Sequence, residues 1–318
     1  MDHHPFIQPI LVAGGGKLAV SLSVCLLQAG HEVTFLNTTG EDIAAAVDQH
    51  LAELRRFAGQ ELTSQGLTVV QHLEEAGNHE LAILFTEEDA AKKRALIDEL
   101  ENYLPGDALI AINTESILLS ILQHHARHPG RLIGANWTEP VHTTCFLEII
   151  TNENTYQPMA ERFYHAARTH WNKDPYLLQH GRGIRTRMMC ALIREAFYLI
   201  EHDYVTVEDI DRACRNDPGY YLPFAGNFRY MDLMGAYMYG IVMQDLNPEL
   251  STGTHIPAFC KSLLQSGAGM AEGTGFYTYK PGEAARWETA FREFSYRIRQ
   301  LMDRYPFTYL EEETVVNT

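Results

Sequence analysis

Residues 10–19, Ile10-Leu11-Val12-Ala13-Gly14-Gly15-Gly16-Lys17-Leu18-Ala19, govern how the surrounding sequence reads. An apolar run of strand length ends at Gly14, and three glycines lead into a helix-compatible stretch from Leu18 to Gln28. Gly30 supplies a C-terminal stop. Val33-Thr34-Phe35-Leu36 then reads as a second strand. Strand, glycine turn, helix and strand in that order form a βαβ unit with the glycines at the crossover.

Such a turn delivers a helix N-terminus to the end of a strand, where backbone N–H groups and the helix dipole receive phosphate. Gly14 takes the tight-turn position, Gly16 the position of close pyrophosphate approach, and Ala19 the place where helix and strand must pack together. These residues predict a dinucleotide of the NAD type. Lys17 either meets a phosphate or stands solvated at the helix start. Asn37 closes the second strand where an acidic residue normally holds the adenosine ribose, and an amide lacks the carboxylate that grips both hydroxyls. No arginine follows to take a 2′-phosphate, so NADP is not preferred, and NAD binding is expected to be weaker than usual.

Outward from this unit, Leu81–Phe85, Ala108–Ile112, Leu132–Ala135 and Phe146–Ile150 complete the expected strands, with an amphipathic helix from Ala90 to Tyr103. Residues 41–76 read as a polar helical excursion. The pattern predicts an α/β protein whose first domain, residues 1–180, is a doubly wound, Rossmann-type sheet. After Asp174-Pro175 the pattern turns helical: Ile184–His202, a helix from Thr206 to Arg215 capped by Thr206 with Asp209, an apolar stretch from Phe228 to Leu246, Pro257–Gln265 and Glu283–Tyr305. Residues 181–305 form an all-helical C-terminal domain, and 306–318 an acidic tail. Met231, Met234, Met238 and Met243 fit core or dimer-interface packing better than a cofactor box.

The 318 residues carry 25 basic and 41 acidic side chains, a formal charge of -16. Such a surface repels nucleic acid and anionic membranes, and it forces any phosphate site to be built locally from backbone. No apolar run reaches the length of a membrane span, and no signal peptide is read at the N-terminus. Five singly placed cysteines without CxxC spacing argue against a disulfide framework and for a reducing cytoplasm. No metal is expected.

Taken in order, the motifs resemble those of the L-3-hydroxyacyl-CoA dehydrogenases over nearly the whole chain. VAGGGKLA is similar to the family's cofactor turn, INTESI to its Asn-Thr-Ser-Ser motif, LIGANWTEPV to Gly-x-His-Phe-Phe-Asn-Pro-Val, and FLEII to the segment with its glutamate. GIRTRMMCALIREAFYLIEHDYVTVEDIDRA resembles the opening helix pair of its C-terminal domain, GNFRYMDLMG its Gly-Pro-x-Glu-x-x-Asp-x-x-Gly stretch, and GTGFYTY its ending.

The resemblance implies hydride transfer between NAD and the C3 hydroxyl or ketone carbon of a 3-hydroxyacyl thioester, in fatty acid metabolism, by a cytoplasmic homodimer. In the family a histidine takes the hydroxyl proton and a glutamate orients it, while a serine and an asparagine place the substrate oxygen. Here the histidine position holds Asn136, the glutamate position Glu148, the serine position Glu115 beside Ser116, and the asparagine position Thr186. Glu139 and Arg229 replace two more polar positions. Asparagine has no titrating group, so the near-neutral base that the reaction needs is missing.

Two readings follow. In one the site is rebuilt, with His142 or a Glu115–Glu139 carboxylate pair supplying the base, and an acyl or hydroxy-acid substrate is turned over. In the other the chemistry is lost, and a cofactor- or acyl-binding scaffold serves regulation or assembly. The excursion sets Arg55 and Arg56 against Glu41, Asp42, Asp48, Glu53 and Glu61, a poor seat for a polyanionic coenzyme A handle. A smaller substrate is therefore expected.

Overall fold

The computed structural model describes Phe6 and residues 9–306, apart from the side chains of Ser262, Leu264 and Gln265. Beyond Pro306 the acidic tail lies outside the described residues. Two compact units divide the chain, Met1–Thr186 and Arg187–Thr318.

The first unit runs β1 (Ile10–Gly14), α1 (Gly16–Gln28), β2 (Val33–Asn37), α2 (Ile43–Ala58), β3 (Leu67–Val70), β4 (Leu81–Phe85), α3 (Ala90–Tyr103), β5 (Leu109–Ile112), α4 (Leu119–Gln123), β6 (Leu132–Trp137), β7 (Phe146–Ile150), α5 (Gln157–Thr169) and β8 (Asp174–Leu178). One eight-stranded sheet results, in the order β3-β2-β1-β4-β5-β6-β7-β8. Every pairing is parallel except β6 with β7. The order reverses between β1 and β4, and ligands of open α/β sheets sit at the carboxyl ends of strands beside such a switch point.

Strands β1 and β4 are buried throughout, as the continuous apolar runs ILVA and LAILF require of parallel strands covered on both faces. One core cluster joins Leu11, Ala13, Leu84, Ile97, Leu100, Ile110 and Leu132 under α3. A separate aromatic cluster packs Phe163 edge-on to Trp137 and Trp171, with ring centroids 6.3 and 5.2 Å away.

The structure corrects the sequence reading in two places in this unit. The excursion over 41–76 is α-helical only from Ile43 to Ala58, where Gly59 ends α2 in a left-handed conformation, and two single 3-10 turns, Ser64–Gly66 and Leu73–Glu75, flank the rest. Its later part forms β3, which pairs with β2 at the sheet edge. The strand set also does not end at Ile150, because β8 pairs with β7. Pro175 within β8 cannot donate a ladder hydrogen bond, which an edge strand tolerates.

The second unit holds α6 (Arg185–Glu201, whose first two residues belong to the first unit), α7 (Val207–Asn216), α8 (Pro218–Met234), α9 (Ala236–Leu246), α10 (Ala258–Ser266) and α11 (Glu283–Arg304). The cap expected at Thr206 is present: its hydroxyl accepts from Asp209 N at 3.2 Å, and Asp209 Oδ2 accepts from Thr206 N at 3.2 Å. The apolar stretch from Phe228 to Leu246 is not one helix. Gly235, with φ 104°, separates α8 from α9, and Gly226 at φ 65° kinks α8. The GTGFYTY ending makes a small bridged turn between α10 and α11.

Candidate active site

The antiparallel step from β6 to β7 brings the two central residues together. Asn136 and Glu148 are register partners on these strands. Side chains directly opposite in an antiparallel pair share one face, and Asn136 Nδ2 donates to Glu148 Oε2 at 3.0 Å. The other end of the amide is tied as well, because Asn136 Oδ1 accepts from Thr114 N at 2.9 Å. Both side chains are fully buried.

Glu148 accepts three further hydrogen bonds on Oε1: from Tyr176 Oη at 3.1 Å, Ile184 N at 2.7 Å and Arg185 N at 3.1 Å. A buried carboxylate survives only when its oxygens are satisfied in this way. Burial, and then the adjacent Glu148 charge, push the Tyr176 phenol well above its ordinary range. Gly183 makes room for the carboxylate, since a Cβ there would stand 2.1 Å from Glu148 Oε2. These bonds bring residues 183–185 into the first unit. The sequence-based boundary at 180/181 therefore falls six residues before the structural division, which follows Thr186.

Glu115 lies one residue beyond Thr114, and its carboxylate accepts from Arg185 Nη2 at 2.5 Å and from the Thr186 hydroxyl. The Arg185 guanidinium also lies 5.6 Å from the Phe146 ring centre. Three residues standing where the family resemblance expects other side chains, or next to such a position, thus bond to one another. Ser116 is exposed, and both its N and its Oγ donate to Glu88 Oε1, at 2.7 and 3.2 Å.

Glu88 is a residue that sequence reasoning missed. The same oxygen accepts from Glu115 N at 3.0 Å and Ile117 N at 3.0 Å, so one carboxylate holds the whole turn that carries Glu115. Lys93, 1% exposed, pairs with Glu88 at 3.2 Å and donates to Asn113 O at 2.7 Å. Burial opposes the Glu88 charge, yet the Ser116 and Ile117 N–H groups together with Lys93 hold its carboxyl below the ordinary range. Burial likewise lowers Lys93, more than its partner raises it. The two directions are not those of a simple exposed ion pair. Desolvation governs the nearly inaccessible ammonium, and hydrogen bonds govern the carboxylate.

His142 is buried with its ring edge-on to His50 of α2, centroids 5.0 Å apart. Glu139 accepts from the Ser21 hydroxyl of α1, and Ser21 Oγ in turn accepts from Val141 N at 3.1 Å. Glu139 is thus directed to α1, while Glu115 is directed to Arg185 and Thr186.

At the glycine turn, Gly14 has φ +125° and lies so close to β4 that a Cβ would stand 1.7 Å from Phe85 O. Gly16, φ +80°, has open space where its Cβ would be, and Gly15 begins α1 with no side-chain cap. The helix dipole and the open approach at Gly16 fit a dinucleotide pyrophosphate, beside the Glu41 carboxylate that accepts from Gly16 N at 3.1 Å. Asn113 Oδ1, just past the carboxyl end of β5, is buried with no hydrogen-bond partner, which also leaves an acceptor for a ligand on this edge of the sheet. Ala19 is buried in α1, and Lys17 is exposed at its start. Asn37 turns its amide into its own loop: Oδ1 accepts from Thr39 N, Thr39 Oγ1 and Gly40 N, and Nδ2 donates to Glu41 O at 2.8 Å.

Residues 9–180 match the NAD binding domain of 3-hydroxyacyl-CoA dehydrogenase, and residues 184–279 match its C-terminal domain. The chain is 23% identical over 310 residues to 5-formyl-3-hydroxy-2-methylpyridine 4-carboxylate 5-dehydrogenase of Mesorhizobium japonicum, covering 93% of this chain and 99% of that protein. To the mitochondrial hydroxyacyl-coenzyme A dehydrogenase of Rattus norvegicus it is 25% identical over 297 residues, covering 86% and 92%. In fold it is similar to the crystal structure of an FHMPC 5-dehydrogenase, described as an NAD+ dependent dismutase, with TM-score 0.85 at 21% identity over 93% of this chain and 99% of that one. M. tuberculosis FadB2 gives TM-score 0.69 at 24% identity, covering 86% and 99%.

Proposed function

The chain belongs to the 3-hydroxyacyl-CoA dehydrogenase family, with NAD as its cofactor, and on that premise we propose that it is an oxidoreductase for a small acyl or hydroxy-acid substrate. The observation that carries this reading is the joined cluster of Glu115, Arg185 and Thr186 beside the Asn136–Glu148 pair. Replaced side chains that satisfy one another point to a rebuilt site rather than to scattered losses.

NAD, when bound, supplies or accepts the hydride at a hydroxyl or ketone carbon. Gly14, Gly16 and the start of α1 would hold its pyrophosphate. Arg185 carries guanidinium N–H groups beyond the one given to Glu115 and would donate them to a substrate oxygen, the Thr186 hydroxyl holds the Glu115 carboxylate in place, and Glu115 would take or return the substrate proton. Asn136 orients the site through Glu148 and Thr114 but moves no proton. A carboxylate is a weaker base than imidazole at neutral pH, so turnover of ordinary hydroxyacyl-CoA is expected to fall short by about 10²–10⁴.

The substrate is proposed to lack a coenzyme A handle. Arg55 in α2 is already paired with Glu61 at 2.6 Å, within a net acidic segment. The relative named for a pyridine carboxylate spans nearly the same length as this chain, which favours a small carboxylate that Arg185 could receive. The proposed assembly is a homodimer through the helical unit. Phe228 is 82% exposed, Tyr237 79% and Leu233 66%, more large apolar surface than a monomer ordinarily leaves in water. Among the described residues no helix is long and apolar enough to cross a membrane, and the proposed location is the cytoplasm.

A second reading, a cofactor- or acyl-binding protein without turnover, is favoured by one observation: the residue 136 amide is tied at both ends and fully buried. NADH oxidation separates the two, measured with acetoacetyl-CoA, with free 3-oxo carboxylates and with aromatic carboxylates that carry a formyl or keto group, for the protein and for its Arg185→Leu variant. Turnover of a free carboxylate that is lost in the variant supports the first reading. Silence across the whole panel supports the second.

A further inference from the structure

We propose that Glu41, four residues beyond the end of β2, makes the carboxylate contact to the adenosine ribose and sets the choice of NAD over NADP. Asn37 at the strand end is otherwise committed. Its Oδ1 accepts from Thr39 N at 3.1 Å, Thr39 Oγ1 at 3.2 Å and Gly40 N at 3.1 Å, and its Nδ2 donates to Glu41 O at 2.8 Å. An amide has two acceptor lone pairs and two N–H donors. The acceptor side is filled by the loop and one donor is taken, so Asn37 shapes the loop instead of reading a ligand.

The loop so shaped returns to the glycine turn. Glu41 Oε2 accepts from Gly16 N at 3.1 Å. Thr39 packs over Gly15 so closely that a Cβ on Gly15 would stand 2.3 Å from Thr39 Cγ2. Both contacts fix the 37–41 segment against the turn that receives the dinucleotide. The carboxylate therefore lies against Gly16, two residues on from the Gly14 that pairs with Asn37 at the end of β2, and the end of the second strand is where this fold receives the ribose of a dinucleotide. With Oε2 on the Gly16 N–H, the Glu41 carboxylate keeps Oε1 and a second lone pair on Oε2 for two hydroxyl donors. A single amide could not offer two acceptors on two oxygens. The same negative charge, with no arginine between residues 37 and 54, opposes a 2′-phosphate.

Glu41 thus gives the chain an acidic ribose contact without an acidic residue at the strand end. With Glu41 in that role, Asn37 at the strand end does not weaken cofactor binding.

The test is direct binding of NADH and NADPH, followed by nicotinamide fluorescence and calorimetry, for the full chain and its Glu41→Gln and Glu41→Ala variants. Thermal melts without ligand verify that each variant is folded. Glutamine keeps an oxygen for the Gly16 N–H, so it tests the charge and the second acceptor. The expected result is NADH binding weakened about 10- to 100-fold, the size of lost hydrogen bonds to a charged group. NADPH binding is expected to be unchanged or tighter, so the preference for NADH narrows. Unchanged NADH affinity in both variants would overturn the assignment. Tighter NADH binding would overturn it too, and would mean that the carboxylate competes with the pyrophosphate for the Gly16 N–H. A parent protein that binds neither nucleotide would overturn the cofactor assignment along with it.

Discussion

Asn136 and Glu148 face each other across the antiparallel step of an otherwise parallel sheet, joined by an amide-to-carboxylate hydrogen bond of 3.0 Å. The carboxylate is thus already held as an acceptor for whatever donor occupies position 136.

Replacing Asn136 by His should use that arrangement. An imidazole there can donate one ring N–H to Glu148 and leave the other nitrogen as a base. Activity with acetoacetyl-CoA and NADH is expected to rise by about 10²–10⁴ over the parent chain. A variant that folds, binds NADH and gains nothing would show that substrate is not delivered to position 136.

Glu148→Ala would strip the acceptor from Asn136, Tyr176, Ile184 and Arg185 at once. Each buried donor left without a partner costs about 1–3 kcal/mol, so a loss of at least about 3 kcal/mol is expected. Glu148→Gln keeps an acceptor oxygen and should lose less. Urea unfolding of both variants checks the order.

Gly183→Ala is expected to destabilise by about 1–3 kcal/mol although its φ is unremarkable, because the new methyl would meet Glu148 Oε2 at 2.1 Å. The position is crowded by the carboxylate, not strained in its backbone. Pairing Gly183→Ala with Glu148→Ala should recover part of the loss. Additive losses in that double mutant would contradict the steric account.

Glu88 should make stability depend on pH in the acid range. Its folded-state carboxyl is held below the ordinary value of 4.5, despite the opposing effect of burial, by the Ser116 and Ile117 N–H groups and Lys93. A depressed carboxyl contributes stability that is complete above the unfolded value and is lost as pH falls through the folded one. Glu88→Gln should therefore be less stable than the parent at pH 7, by about 1 kcal/mol once solvent screening of the exposed carboxylate is allowed for. The gap should close as both are titrated below the carboxylate range. Thermal melts from pH 7 to pH 3 test this, and a gap that stays constant would refute the role of the charge.

Much of the fold could be read from the sequence, because β1, α1 and β2 carry unbroken apolar runs and glycines at the turn and stop positions. The two missed strands are edges with weak patterns. Within β3 only Val70 is buried, and β8 begins with Asp174 and Pro175. The apolar stretch from Phe228 to Leu246 is divided at Gly235, one glycine in a run that also carries Gly240 within α9.

In the candidate site, Asn136, Glu148, Glu115 and Thr186 could be picked out because they fall within collinear motifs. Glu88 and Tyr176 lie outside those motifs, and Arg185, though inside one, carries no local sign of its partner. Their partners lie 27, 28 and 70 residues away, separations at which no local spacing rule operates. Gly183 reads as a linker glycine until the carboxylate packed against it is seen.

The strand register of β6 and β7, and not the chemistry of either side chain, is what brings position 136 to Glu148. The genetic code makes asparagine and histidine neighbours, since their codons differ only in the first base. A lineage carrying this scaffold stands one transversion from an imidazole already provided with its carboxylate. Mutational inaccessibility therefore does not explain the amide. Its persistence, if found across relatives, would mark a selected state of the site.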